Sequence, residues 1–392
     1  MQFSKILVGS LLLLGTTSVY AQDKPVFTIG IVTAATGAAS TIGTPANAAI
    51  ALYEQQLAAQ KGLPFRVRFV QYDDASDPTR SVTLVRKAIQ EDKADFVICC
   101  TTTPSSMAVS KVSEVERTPT LSMASSADVV EPIAEKTYTF KTPITDRLMI
   151  NHTLDYMAAH GVKTLAFMGL DDAYGEGGLM EMKAFSQKKG VKIVDIERFG
   201  RADTNFIPQA LKVLQSKPDA VYIHAIPPSA SLVQAALKRV GYKGPIYHGA
   251  GSATNAFITI GKSAVEGAIV GVTPITLYKF LAPNNPLKKS IGDFVAAYNA
   301  KYGQGKAEMF ASQGYDAIGL AVNAMKRYVA SGKKEGSLAQ VRKDLRDELE
   351  QTHEYAGAVG IFNYSPTDHV GLDKRTLLLA QVKGGQFVPL EK

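Results

Sequence analysis

The chain has 392 residues, 46% hydrophobic and 20% charged, with no tryptophan, a length that calls for about two domains rather than one core. Its 43 lysines and arginines outnumber 36 acidic residues, but the signs are mixed: Lys183, Lys188, Lys189 and Lys192 lie among Glu176, Glu181 and Asp195. With neither a basic stripe nor interleaved aromatics, this composition argues against a nucleic-acid partner, and six scattered histidines without ligand spacing offer no metal site.

At the start, Lys5 precedes the apolar run ILVGSLLLLG, and Val19-Tyr20-Ala21 forms a small-residue cleavage site. Residues 1–21 therefore read as a secretory signal peptide cut after Ala21. Gln22 follows, so no cysteine is placed for lipid attachment, and no later segment approaches ~18 unbroken apolar residues. An exported, soluble mature chain is expected.

From Phe27 strand-like and helix-like segments alternate. A strand at 27–32 leads through a small-residue turn, 33–44, into a helix at 45–60. A strand at 66–72 ends in Asp73-Asp74, and Asp77 caps a helix running to Glu91. Next comes DFVICCTTTPSSMA at 95–108, where an apolar run of β-formers breaks into Thr101, Thr102, Thr103, Pro104, Ser105 and Ser106 before helical spacing resumes. Such a turn gathers exposed N–H groups, the positive end of a helix dipole and uncharged hydroxyl donors, a combination suited to a small anion such as a carboxylate. A helix cap at Ser105 or Ser106 is the plainer alternative. A second hydroxyl turn, TLSMASSA at 120–127, ahead of a helix-like 128–134, would complete a shared crevice. Cys99 and Cys100 are adjacent, and neighbours bridge only in a strained ring, so they read as two buried strand residues.

The pattern then restarts. Helices are expected at 146–160, 174–189, 205–216 and 229–240, with strands at 164–168, 192–197, 220–224, 246–248 and 268–272. Helices at 286–302, 310–330 and 338–350 follow, and short strands from Gly360 turn at Gly384-Gly385. This grammar predicts an α/β protein of two similar lobes, each a parallel sheet with helices on both faces, whose ligand sits beyond the carboxyl ends of the strands. Extended crossings near 141–143, 272–274 and 357–362 would form a three-segment hinge. They divide the chain into one lobe of 22–142 with 273–357 and another of 143–272 with 358–392.

Enzymatic motifs are weak. AFITIGKS at 256–263 imitates a phosphate loop, but Phe257, Ile258, Thr259 and Ile260 include no glycine to wrap a phosphate. Gly175-Glu176-Gly177-Gly178 lacks the third glycine of a dinucleotide fingerprint at the right offset, and no GxSxG elbow occurs. No cofactor is expected, and a secreted hydrolase is the weakest reading.

Taken in order, FTIGIVTAATGAASTIG, QYDDASDP, the hydroxyl turn, TLSMASSA, DDAYGEGG, TNFIPQALKVLQSKPDAVYI and QGYDAIGLA resemble the periplasmic branched-chain amino-acid binding protein family over residues 27–388. These are substrate-binding subunits of ABC importers with the type I periplasmic binding fold. The resemblance implies a non-enzymatic, periplasmic monomer that delivers a small molecule to membrane permease subunits, with a periplasmic ligand sensor as the alternative. It implies that Thr103, Ser105, Ala124 and Ser126 hold the ligand carboxylate, that Ile42 packs on its side chain and that Tyr174 closes over it. His224 and His248 end strands of the second lobe and are expected at the cleft, with Ile226 as an apolar wall. Amino-acid binders of the family carry an acid after the 248 strand to pair with the ammonium; here that turn reads HGAGSAT, with Gly251 at the acidic position. A carboxylate without an α-amino group, aromatic or hydrophobic, is therefore expected, and family members with a histidine-glycine turn resemble aromatic-acid binders. The competing expectation is an amino acid whose ammonium pairs with another acid, such as Asp172.

Overall fold

The computed structural model describes residues 24–333 and 336–390; the expected signal peptide lies outside them. The first lobe opens with β1 (Val26–Thr33), α1 (Ser40–Ala59), β2 (Arg66–Asp73) and α2 (Pro78–Gln90). It continues through β3 (Phe96–Cys99), α3 (Thr103–Val115), β4 (Thr120–Ser122) and β5 (Thr139–Lys141). These five strands form a parallel sheet in the order β2-β1-β3-β4-β5. Every residue of β3 is buried, as its unbroken apolar run requires of a central parallel strand.

The second lobe contributes α4 (Asp146–Ala159), β6 (Thr164–Leu170), α5 (Ala173–Ser186), β7 (Lys192–Phe199), α6 (Ile207–Ser216) and β8 (Ala220–His224). It adds α7 (Ser229–Arg239), β9 (Ile246–His248), α8 (Asn255–Gly261) and β10 (Ile269–Val272). The chain then returns to the first lobe for α9 (Lys288–Tyr302), α10 (Met309–Ala330) and α11 (Leu338–Glu350). Last come the short pair β11 (Tyr355–Ala356) and β12 (Ile361–Phe362), then β13 (Leu378–Lys383) and β14 (Gln386–Pro389). The second sheet runs β14-β13-β10-β9-β8-β6-β7, parallel except at its β13-β14 edge. That hairpin turns at Gly384 and Gly385, both with φ above +60° or at it, the backbone a two-residue turn between right-twisted strands demands.

Asp77 caps α2 as expected, its carboxylate accepting the N–H groups of Thr79 and Arg80 at 2.7 and 2.9 Å. Several local expectations are corrected. Helix α1 begins at Ser40 rather than at Pro45, which lies inside it. The extra turn fits because Gly43 brings no side chain: a Cβ there would stand 1.8 Å from the Ala34 carbonyl oxygen. The expected helix at 128–134 is two short 3₁₀ turns separated by Pro132, which carries no N–H for helical bonding. Cys99 and Cys100 are both buried but joined to each other by a disulfide. Adjacent side chains of a regular strand point to opposite faces, and the bridge forms where β3 has ended at Cys99.

The chain also stays with the first lobe longer than the expected crossing at 357–362. Ala358 and Val359 donate to the Asp316 carboxylate of α10 at 2.8 and 2.7 Å. Tyr364 donates to the Lys141 carbonyl, and His369 stacks on Phe140 with ring centroids 3.9 Å apart. The third passage therefore runs between His369 and Leu378.

Because Gly43 lets α1 start against the end of β1, Gly43→Ala is expected to destabilise the protein by roughly 1–3 kcal/mol, the scale of a forced core overpacking. Urea unfolding measures this as a lowered midpoint; an unchanged midpoint contradicts the close approach.

Candidate ligand-binding cleft

The strands of both sheets end toward one another, and the loops beyond them enclose a cleft with about 500 Å³ between its walls, open space at the mouth included. The first lobe supplies Ile42 of α1, Thr101, Thr102 and Thr103 at the β3–α3 turn, Met123, Ala124 and Ser125 after β4, and Met309, Phe310 and Gln313 of α10. From the second come Tyr174, Arg201, Ile226, Ala250 and Gly251, while the crossings add Pro143, Ile144 and Thr273. Apolar side chains dominate. Among the described lining residues Arg201 is the single charged side chain and no carboxylate appears.

Of the residues named from the sequence, Ile42, Thr103, Ala124, Tyr174, Ile226 and Gly251 come together here, whereas Ser105, Ser126, His224 and His248 do not line the cleft. Ser105 turns into the first lobe, 2.9 Å from the Ser81 hydroxyl, which donates to Asp74. Ser126 caps the short turn after it, accepting the Asp128 N–H at 3.3 Å.

His248 is wholly buried between two polar side chains, Gln234 and Ser252. Gln234 gives its amide N–H to the Ala264 carbonyl, so its oxygen faces His248 Nε2 at 2.6 Å, which fixes the proton on that nitrogen. Nδ1 then accepts from the Ser252 hydroxyl at 3.1 Å. Burial lowers the imidazole to about 3, so it is neutral throughout the physiological range. His224 lies one layer beneath the cleft wall, covered by the Tyr174 ring at 4.1 Å between centroids. Glycines flank the imidazole: a Cβ at Gly178 or Gly249 would approach it to 2.3 or 2.8 Å. Its Nε2 stands 3.5 Å from Asp146 Oδ2, with both residues buried.

Asp172 sets the position of Tyr174. Its carboxylate caps α5 by accepting the N–H groups of Tyr174 and Gly175 at 2.8 and 3.2 Å, and takes Arg201 Nε at 2.5 Å. The tight turn demands glycine at 175, where a Cβ would meet the Leu170 oxygen at 1.7 Å. Burial first, then the nearby Asp146, holds the Tyr174 hydroxyl well above its usual range, so it remains a neutral phenol.

Two charged groups at strand ends escaped the sequence reading. Arg201 follows β7, and the rule that ligands sit at strand ends would have found it had it been applied to that strand. Lys141, at the end of β5, is fully buried and binds the carbonyls of Ser125 and Ser126, fixing the loop that carries Ala124 into the cleft. Burial lowers its ammonium to about 7 against the opposing field of Asp146. Direct bonds cross the cleft rim as well: Thr41 donates to the Pro227 carbonyl at 2.8 Å, and the Asn255 N–H to Glu308 at 2.7 Å.

Two parallel-sheet lobes facing one another across a cleft, with the chain passing between them, define the bilobal ligand-binding class. The chain belongs to the periplasmic binding protein family, whose model matches residues 26–386. It is similar to an extracellular ligand-binding receptor from Rhodopseudomonas palustris HaA2, with 30% identity over 93% of this chain and 99% of that one and a TM-score of 0.87. The fold is shared with a leucine binding protein of Thermotoga maritima, 21% identical over 93% of this chain and 98% of that one, TM-score 0.79. A Streptococcus pneumoniae branched-chain amino acid transporter substrate binding protein, solved with isoleucine, is 18% identical over 92% and 97%, also at 0.79. No curated protein matches the chain.

Burial of His248 has a pH signature. Its imidazole binds a proton near 6.5 when unfolded but only near 3 when folded, so stability is lost as pH falls below 6.5, by about 2 kcal/mol at pH 5. Asp316 and Glu308, both raised to about 7 by burial, act oppositely, which makes the comparison with a variant necessary. His248→Asn is expected to lose ~2 kcal/mol less than the parent between pH 7 and pH 5. Chemical denaturation at the two pH values measures it; equal losses contradict a buried neutral imidazole.

Proposed function

We propose that this protein is the periplasmic solute-binding subunit of an ABC importer, and that it takes a small carboxylate with an aromatic or hydrophobic body and no α-amino group. The observation that carries this reading is the charge of the cleft: one arginine and no carboxylate among its described lining residues. An α-amino acid brings an ammonium whose burial without an anionic partner costs several kcal/mol, against a total of ~8 kcal/mol for a micromolar site. Asp172, the acid that could have served, is occupied by two backbone N–H groups and Arg201. Gly251 offers no side chain, and a Cβ there would meet the Tyr174 hydroxyl oxygen at 2.7 Å.

The anionic end is received by the first lobe. Thr101, Thr102 and Thr103 bring hydroxyls to the N-terminus of α3, where unpaired N–H groups and the helix dipole favour negative charge. Ile42, Met123, Ile144, Ile226, Met309 and Phe310 give the body of the ligand an apolar enclosure. Ligand binds one lobe first, the second lobe closes with Tyr174, and the closed shape is what the permease recognises. Ligand-stimulated ATPase activity in vesicles separates this role from that of a periplasmic sensor.

Calorimetry with benzoate, 4-hydroxycinnamate, leucine and phenylalanine tests the ligand class. The acids are expected to bind and the amino acids to give no heat; tight binding of leucine or phenylalanine with no response to the acids overturns the reading. Thr103→Ala is expected to weaken binding of the acid by roughly 1.5–3 kcal/mol, the scale of a hydrogen bond to a charged group, and Ser126→Ala to leave it unchanged. Equal affinity in the parent and Thr103→Ala removes the anchor.

A further inference from the structure

Three buried polar atoms on residues lining the cleft have no hydrogen-bond partner among the described residues: Arg201 Nη1, Thr273 Oγ1 and Gln313 Oε1. A buried polar group left unpaired costs ~1–3 kcal/mol, and those that line the cleft stand where a ligand can satisfy them. Arg201 is the most restrictive. A hydroxyl can donate or accept, whereas a guanidinium N–H can only donate.

Its direction is also fixed. Nε is held by Asp172 at 2.5 Å, and the same carboxylate caps α5 through the N–H groups of Tyr174 and Gly175. The guanidinium and the Tyr174 ring are thereby tied to one acid, and both belong to the second lobe. The threonine turn belongs to the first. A ligand whose carboxylate is seated on the threonine turn therefore presents its other end to Arg201 as the lobes meet.

We infer that Arg201 is a specificity-determining residue that donates Nη1–H to a second oxygen on the ligand, so that the cognate ligand has a carboxylate at one end, an uncharged oxygen acceptor at the other and an apolar body between them. This rests on the carboxylate reading above. The acceptor is uncharged because Asp172 already balances the arginine, and a second carboxylate placed there would be brought up against the first. A hydroxyl, ether or carbonyl oxygen satisfies the donor without that repulsion. Of the other unpaired atoms, Gln313 Oε1 can only accept and Thr273 Oγ1 can donate or accept, and both suit a hydroxyl.

The test is calorimetry on the parent protein, Arg201→Met and Arg201→Lys with three probes: 3-phenylpropanoate, 3-(4-hydroxyphenyl)propanoate and 4-(2-carboxyethyl)benzoate. The parent is expected to bind the hydroxy acid roughly tenfold more tightly than the plain acid, the scale of one hydrogen bond. Both variants are expected to erase that preference while holding the plain acid within about threefold, as loss of a contact at the far end requires. Arg201→Lys keeps the charge opposite Asp172, so it guards against a folding defect in Arg201→Met, and circular dichroism checks each. Equal weakening of both monoacids would mean that Arg201 holds the carboxylate itself, and overturns the inference, as does a parent with no preference. Tightest binding by the diacid overturns the uncharged acceptor. If the folded parent binds none of the three, the carboxylate reading fails and this inference falls with it; binding without discrimination leaves that reading standing.

Discussion

A buried ammonium holds the junction of the two lobes. Lys141 ends the last strand of the first sheet with no exposed surface, and removing such a charge from water costs several kcal/mol unless partners replace the solvent. Here the Ser125 and Ser126 carbonyls accept from Nζ, and Asp146, Glu131 and Asp128 supply opposing charge. The same residue's backbone binds the returning chain, its N–H donating to the His369 carbonyl and its own carbonyl accepting from Tyr364. The Asp146 N–H, at the start of the second lobe, donates to Ser125. One position thus joins the first sheet, the cleft loop, the first crossing and the third passage. The loop bearing Ala124 is placed by this buried charge together with the Ser122 hydroxyl, which accepts the Ala124 N–H at 3.1 Å.

The second lobe has an analogous centre in Asp172. By capping α5 and binding Arg201 it sets the phenol and the guanidinium on one wall, and behind them His224 and Asp146 form a second buried polar layer. Rigid walls of this kind lower the cost of ordering side chains when ligand arrives, because that cost has been met in folding. The bonds from Thr41 to Pro227 and from Asn255 to Glu308 join the lobes directly at the rim of the cleft.

The lobes were legible because buried parallel strands write themselves as short apolar runs, and because turns such as Asp77 and Gly384-Gly385 carry their own chemistry. The six named residues that line the cleft follow strand ends or the family resemblance. His224 and His248 failed for a physical reason: a residue at a strand end faces one side of the sheet or the other, and these two turn toward helices, where Gly178 and Gln234 await them. Ile226, two residues beyond β8, reaches the cleft instead. Met309, Phe310 and Gln313 lie near the start of a helix far along the chain, a place that no strand-end rule marks. The third passage was misplaced because its extended residues bind the first lobe through Asp316 and Lys141, long-range partners that local pattern does not reveal.

The central claim is that a carboxylate draws the two lobes together over this cleft. Small-angle scattering of the protein with and without saturating 4-hydroxycinnamate tests it most directly. The account predicts a smaller radius of gyration with the acid than without it. Superimposable profiles, from samples shown by calorimetry to be saturated, would contradict closure as the response to ligand.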